Sequence, residues 1–236
     1  MAACGALTMT LSACESTEQE SAKIGREGQQ QAAGPAALKL GAANRSVHVS
    51  DVTLLSSGGR TAVAARLTST AAGAQANVPL LVTLTGRGGK VLYSNRTAGL
   101  DASLQGIALL HGRSSAWWVD DQVPSTPGAS GAAVRVGTGS GTHSGASPSL
   151  ATSAPSLGET GGLSVLNATV VNHSATAQGQ VPVFAVAVRG GRVVAGGRAV
   201  VPALAGHVGA SAAVQVFLIG NPAGAQLELT AVPTAG

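Results

Sequence analysis

The sequence predicts an all-β protein built from two similar β-sandwich domains. Short Val-, Leu- and Thr-rich runs alternate with glycine-containing turns, and no long segment has helical periodicity. One pattern also occurs twice, as VPLLVTLTGRGGKVL at Val78–Leu92 and as VPVFAVAVRGGRVV at Val181–Val194. Each copy is typical of a strand, a Gly-Gly turn and a returning strand, because glycine adopts positive φ without steric cost. The 236 residues have room for two domains of roughly 100 residues each.

The first copy is one residue longer than the second. Gln75 matches Gln178 at an offset of 103 residues, whereas Arg87 in the turn matches Arg189 at an offset of 102. A one-residue slip inside a strand would exchange its core and solvent faces. Placing the extra residue as a bulge beside the prolines aligns Val82 with Phe184 and Leu84 with Val186, the bulky residues of each copy. We therefore expect this register.

The N-terminus has the pattern of an exported lipoprotein. Residues 1–13 are uncharged and mildly apolar, too short to span a bilayer, and end in small residues like a signal peptide. Leu11-Ser12-Ala13-Cys14 then resembles a bacterial lipobox, which implies cleavage before Cys14 and acylation of that residue, for example with palmitate. A basic n-region is missing, so we expect a truncated signal peptide. The alternative is an ordinary N-terminus with a free Cys14.

Residues 14–37 are rich in Glu, Gln, Ser and Ala and contain too few apolar residues for a core, which indicates a flexible tether. The first domain is expected at 38–137 and the second at 161–236. Residues 138–160 are rich in Gly, Ser, Thr and Pro and are expected to form a linker, part of which is an edge-strand candidate of the second domain.

The strands of the two domains follow from period-2 alternation and from the turns between them. In the first domain they are predicted at Val47–Val52, Thr61–Leu67, the hairpin of the first repeat, Ile107–Leu110, Ala116–Val119 and Ala132–Val136. In the second domain they are predicted at Leu163–Asn172, the second hairpin, Arg198–Val201, Ala212–Ile219 and Gln226–Val232.

Two segments carry a family resemblance. The residues Val170-Val171-Asn172-His173-Ser174 and the hairpin Val183–Val194 resemble the strand-end turn and central hairpin of the FxLYD-type domain of bacterial surface proteins. This resemblance implies two tandem immunoglobulin-like sandwiches. The whole chain is similar to two-domain envelope lipoproteins of actinobacteria, which implies lipid anchoring on the outer face of the cell membrane.

Composition and spacing argue against several kinds of chemistry. The formal charge is +4, but the basic residues are scattered instead of clustered with aromatic residues, so we expect no nucleic-acid partner. None of the five histidines has metal-ligand spacing to another His, Cys or carboxylate, and we expect no metal and no cofactor. Asp120-Asp121 is the single adjacent carboxylate pair. Its side chains point to opposite faces if the preceding strand continues, and they cap a turn if it ends there.

Trp117-Trp118 is the most distinctive pair, because the chain has only two Trp, two Phe and one Tyr. Neighbours on a strand point to opposite faces, so one indole should enter the core. The other should meet solvent, a neighbouring domain or a ligand, and an exposed Trp can stack on a sugar or anchor an interface.

These observations together predict a non-catalytic, lipid-anchored protein of the cell envelope, with a structural or protein-binding role. Its partners would be the membrane, through the lipid at Cys14, and an envelope protein. The alternative is a cell-wall glycan binder that uses Trp117 or Trp118.

Overall fold

The structure is a computed structural model that describes residues 37–143 and 147–234. The fold is all-β, with 63% of residues in strands and 3% in helices, and its sheets are antiparallel. The expected all-β, sandwich-type class is therefore confirmed. The signal peptide, Cys14 and nearly all of the tether lie outside the described residues.

Sixteen strands and two short 3₁₀ turns make up the described chain. The strands are β1 (Val47–Ser57), β2 (Arg60–Ser69), β3 (Ala74–Gly86), β4 (Val91–Ser94), β5 (Gly106–Leu110), β6 (Ser115–Val123), β7 (Ala129–Val136), β8 (Gly141–His143), β9 (Leu150–Thr152), β10 (Ser156–Thr160), β11 (Leu163–Asn172), β12 (Gln178–Arg189), β13 (Arg192–Leu204), β14 (Ala210–Phe217), β15 (Ile219–Gly220) and β16 (Gln226–Ala231). The 3₁₀ turns are η1 (Arg87–Gly89) and η2 (Ala102–Leu104).

Strands β1–β8 form the first unit, called module 1. One sheet has the order β1-β2-β6, and in the other β3 is central. Strands β4 and β5 pair along one edge of β3, whereas β7 and β8 pair along the other. Alternate residues of β3, namely Val78, Leu80, Val82 and Leu84, are fully buried in the core.

Strands β9–β16 form module 2 with the same arrangement. One sheet contains β10-β11-β14, with β9 also paired to β11, and the other has the order β15-β13-β12-β16. Val181, Val183, Ala185 and Ala187 of β12 are the buried residues that face the core of this module. The β12 strand and its neighbours therefore occupy positions equivalent to β3 and its neighbours in module 1.

The segment expected from composition to be a linker contains paired strands. Strand β8 pairs with β3 of module 1, and both β9 and β10 pair with β11 of module 2. The edge strand considered for this region is therefore present as Leu150–Thr152. These segments have few apolar side chains to bury, but pairing with β3 or β11 gives their backbone N–H and C=O groups hydrogen-bond partners. The limits set at 137 and 161 between the domains stay predictions.

The expected register between the repeats is wrong. Val82 and Leu84 share their core-facing role with Ala185 and Ala187, so the offset remains 103 residues throughout the strand. The extra residue is Gly86 at the hairpin, where the ladders of β3 shift register. Aligning the bulky residues gave the wrong register, because the Phe184 side chain points away from the core of module 2.

Phe184 and Val186 instead belong to a hydrophobic cluster that continues into module 1. The outer face of the β12–β13 sheet packs against β1, β2 and β6, so both faces of this sheet are buried. A Cβ at Gly196 of β13 would lie 3.1 Å from Leu55 Cδ1 and 3.6 Å from Val119 Cγ2. Glycine at this position therefore allows the backbone of module 2 to touch module 1. We call this contact region the junction.

Candidate functional site

Both tryptophans are buried at the junction. Trp117 is 6% exposed and Trp118 is 0% exposed, although β6 is a strand as expected. The Trp118 indole donates a hydrogen bond of 2.7 Å to the Ser103 carbonyl, and its ring lies 6.5 Å from the ring of Phe184. The expectation that one indole faces the core is confirmed.

The other face of β6 meets the neighbouring module, which was one of the three alternatives for the second indole. Trp117 Nε1 donates to Glu228 (2.8 Å) and its backbone amide donates to the Thr230 hydroxyl (3.0 Å), both on β16. The guanidinium of Arg66 lies 5.7 Å from the centre of the Trp117 ring. Neither Trp117 nor Trp118 presents a ring on which a sugar could stack.

Asp120 and Asp121 point to opposite faces, because β6 continues to Val123. Asp120 is fully buried inside module 1, where it accepts hydrogen bonds from the Tyr93 hydroxyl (3.0 Å) and the Gln122 amide (3.1 Å). Burial raises the pKa of Asp120 to about 6, although both hydrogen bonds favour its ionised form. Burial and the Asp120 carboxylate also raise the pKa of Tyr93 well above its usual range. The turn alternative for the pair is wrong.

Asp121 faces module 2 and meets Arg198 of β13. Its Oδ2 accepts the backbone amide of Arg198 at 3.1 Å, and its Oδ1 lies 3.5 Å from Arg198 Nε. The same arginine reaches η2, where Nη1 donates to the Ser103 hydroxyl (2.6 Å) and lies 3.4 Å from Asp101. The Arg198 side chain is only 8% exposed, so one buried cation faces two carboxylates.

Beside this network is a cleft of about 440 Å³ between the modules. Strands β3 and β5 and the η2 segment form its module 1 side, and β12, β13 and the residues after β16 form its module 2 side. Aliphatic residues form much of its wall, namely Val78, Pro79, Ile107, Ala108, Pro182 and Val200. Polar side chains also line it, namely Asn77, Asp101, Ser103, Gln105, Gln180 and Thr234. The size and the mixed lining are typical of a ligand site.

The cleft joins equivalent positions of the two modules. Asn77 precedes Val78-Pro79 and Gln180 precedes Val181-Pro182, and both residues have a φ of 50°. Only a few per cent of non-glycine residues adopt this region, and Gln is less suited to it than Asn. Such strain persists where the surrounding structure imposes it, and it is enriched at ligand sites.

An insertion in module 1 supplies the most polar wall of the cleft. The offset between the modules is 102 residues at Tyr93/Ala195 and 94 residues at Gly106/Val200, so module 1 contains eight extra residues. These extra residues interrupt a strand, so that module 1 has two strands, β4 and β5, where module 2 has the single strand β13. The η2 turn lies in this insertion, and Asp101 caps it by accepting the Ser103 amide at 2.8 Å.

Asp101 is ionised at neutral pH. Partial burial opposes ionisation, but hydrogen bonds from Ser103 and the charge of Arg198 outweigh it and hold the pKa of Asp101 below its usual value. Its side chain remains 47% exposed at the mouth of the cleft.

Gln105 presents an acceptor to the cleft. The residue is 8% exposed, and its Nε2 donates to the carbonyls of Asn95 and Thr97 at 2.9 Å each. Within residues 37–143 and 147–234, no donor bonds to its Oε1. A ligand that carries an N–H or O–H group can supply the missing donor.

The sequence pointed to only one part of this site. The predicted strands leave residues 99–106 outside any strand, and no sequence motif marks Asp101, Ser103 or Gln105. The change of offset between the repeats was the available signal, because it locates the insertion. In the described part of the chain, no group of three or more His, Cys, Asp or Glu residues could hold a metal ion.

No protein-family model matches the chain, and no curated protein matches it. No helix among the described residues is long and apolar enough to cross a membrane. The resemblance to FxLYD-type domains and to envelope lipoproteins of actinobacteria therefore stays a prediction.

Proposed function

We propose that this chain is a non-catalytic protein of the cell envelope, anchored by lipid at Cys14 on the outer face of the membrane, that binds a protein partner. Its two modules act as one rigid body. The junction supports the single rigid body, because a continuous hydrophobic cluster and the Arg198 network hold the modules in one arrangement. The anchoring rests on Leu11-Ser12-Ala13-Cys14, and the observation that carries the binding proposal is the cleft between the modules.

The hydrogen bonding of the acidic residues supports a non-catalytic role. Asp120, Asp121 and Glu228 are each bonded to a group that positions the modules or their strands, namely Tyr93, Arg198 and Trp117. General acid–base catalysis needs a titratable group within reach of a substrate proton. Asp120 has a pKa near neutrality, but it is fully buried and faces Tyr93 instead of the cleft.

A protein partner is preferred over a cell-wall glycan. The glycan alternative required an exposed tryptophan, and Trp117 and Trp118 are both buried. Among residues 37–143 and 147–234, no aromatic residue lines the cleft between the modules, so these residues offer no stacking surface for a sugar ring. A cleft with aliphatic walls and amide side chains suits a peptide better.

Anchoring is tested by cell fractionation and intact mass. The native chain should sediment with membranes as an acylated species that begins at Cys14, and Cys14→Ser should release the protein. Cys4→Ser is the matched control, since Cys4 would leave with the signal peptide. An unmodified chain that retains Met1 would contradict the proposal.

Binding is tested with a photo-crosslinking residue in place of Asn77 at the cleft, in the anchored protein. Val208 is the control position, because it is 68% exposed and does not line the cleft. We expect an envelope-protein adduct from position 77 that is missing from position 208. Equal adducts from the two positions would refute specific binding at the cleft.

A further inference from the structure

We propose that the cleft between the modules binds a peptide segment in which a lysine is flanked by aliphatic residues. The proposal rests on the proposed protein-binding function and names the chemistry of the partner. Its three parts are the charge of the junction, the unpaired acceptor in the cleft wall and the aliphatic lining.

The junction is the acidic part of a basic protein. The described residues contain six carboxylates in all, and three of them bond to groups across the junction: Asp101, Asp121 and Glu228. Asp101 and Asp121 share a single buried cation, Arg198, so this network has a net negative charge. In the part of the chain that the structure describes, no basic side chain lines the cleft. A cationic ligand is therefore favoured over a neutral one and an anionic ligand is disfavoured.

The acceptors converge from the inserted segment. Asp101 lines the cleft with a half-exposed carboxylate, whose Oδ1 already accepts from Ser103 and Arg198. Gln105 lines it with a side chain whose Oε1 accepts no hydrogen bond from the described residues. An ammonium group has three donors and no acceptor, which suits two acceptors on one wall. The ammonium group of a lysine would thus bind near η2.

The rest of the lining suits the other parts of such a peptide, namely its aliphatic side chains and its backbone. Pro79, Ala108 and Val200 are partly exposed aliphatic residues of the lining, and they suit small aliphatic side chains and the methylene stem of a lysine. Asn77 Nδ2 already donates to the Ser140 hydroxyl at 2.9 Å, but an amide group has a second N–H and an acceptor. Gln180 also carries an amide, so both side chains can match the N–H and C=O of a peptide bond. These two residues stand at equivalent positions of the two modules, so an extended peptide can contact both.

Trp118 provides a direct readout, because its Nε1–H donates to the carbonyl of Ser103, which lines the cleft. In ¹⁵N–¹H spectra of the full chain, the probe acetyl-Ala-Val-Lys-Val-Ala-amide should shift the Trp118 indole signal in a saturable way. The Trp117 indole signal should not move, since its partner Glu228 does not line the cleft. Matched probes replace the lysine with norleucine or glutamate, and butylammonium tests the amine alone.

We expect the lysine probe to bind at least tenfold more tightly than the norleucine, glutamate and butylammonium probes. Equal affinity for the norleucine probe would show that the positive charge is not recognised. Equal affinity for butylammonium would show that the peptide around the amine is not recognised. Either result would overturn the proposal. No saturable shift with any probe would overturn the site, while leaving the anchoring result and the crosslink at position 77 as separate tests of the proposed function.

Two variants locate the binding. Asp101→Asn keeps an acceptor for the Ser103 amide and should weaken lysine-probe binding at least tenfold, whereas Asp51→Asn should not change it, because Asp51 is exposed on β1 away from the cleft. Val200→Trp should fill the cleft and abolish binding while melting remains cooperative. Unchanged binding in Asp101→Asn or in Val200→Trp would overturn the proposed location.

Discussion

Replacing Arg198 with methionine tests how strongly the buried network holds the modules together. The substitution keeps an apolar stem but removes the cation that Asp121 and Asp101 share. Breaking a buried ion pair by removing one partner costs about 3–5 kcal/mol. Asp101 is about half exposed, and Asp121 keeps the hydrogen bond from the backbone amide of residue 198. We therefore expect a loss near or below the lower end, about 2–3 kcal/mol.

The assay is urea unfolding of the full chain at pH 7, followed by tryptophan fluorescence. Arg66→Met is the matched control, since Arg66 also lies at the junction but is exposed and makes a cation–π contact with Trp117. That contact is worth about 0.5–1 kcal/mol. Asp121→Asn combined with Arg198→Met should recover about 1–2 kcal/mol of the loss, because the double variant no longer buries an unpaired charge. A loss below about 1 kcal/mol for Arg198→Met, or additive losses in the double variant, would refute this reasoning.

Four further predictions concern other parts of the fold. Asn172→Ala should destabilise the protein by about 2–4 kcal/mol, because its buried amide bonds the Thr176 and Ala205 carbonyls and accepts the Ser174 amide. The equivalent Ser69→Ala should cost less than about 0.5 kcal/mol or stabilise the protein in the same urea assay, because the Ser69 hydroxyl is buried without a hydrogen-bond partner in the described chain. The raised pKa of Asp120 means that its contribution to stability is greatest below the unfolded value near 4 and is lost as the pH rises through about 6. Asp120→Asn should therefore gain roughly 2–3 kcal/mol relative to the parent between pH 4 and 7, and a constant difference across this range would contradict it. Limited proteolysis should spare residues 150–160, which pair with β11, and early cleavage there would argue against strands β9 and β10.

The strand pattern could be predicted because it depends on local alternation and turns. Leu163–Asn172 is a strand with the predicted limits, and Gln226–Ala231 ends one residue earlier than predicted. These segments bury one face in their own core, so period-2 alternation describes them well.

The junction could not be predicted, because β2, β6 and β12 bury both faces. A strand buried on two sides has no polar face to mark its register, so Phe184 was assigned to the wrong core. Trp117 and Trp118 show the same limit. Alternation correctly placed them on opposite faces, but it could not show that a second module covers the outer one.

The composition of residues 138–160 was also misleading. Gly, Ser and Thr predicted a linker, yet Leu150–Thr152 and Ser156–Thr160 pair with β11. Backbone hydrogen bonds to a partner distant in sequence hold these strands, and such a partner does not show in local composition.

The central claim is that the two modules fold as one unit through the junction, and equilibrium urea unfolding with two probes tests it most directly. Tryptophan fluorescence reports module 1 and the junction, and the methyl NMR signals of Val181 and Val183 report the core of module 2. The structure predicts coincident transitions, because Phe184, Val186 and Arg198 of module 2 complete the core and the ion pairs of module 1. Two separate transitions, with one module unfolding while the other remains native, would contradict it.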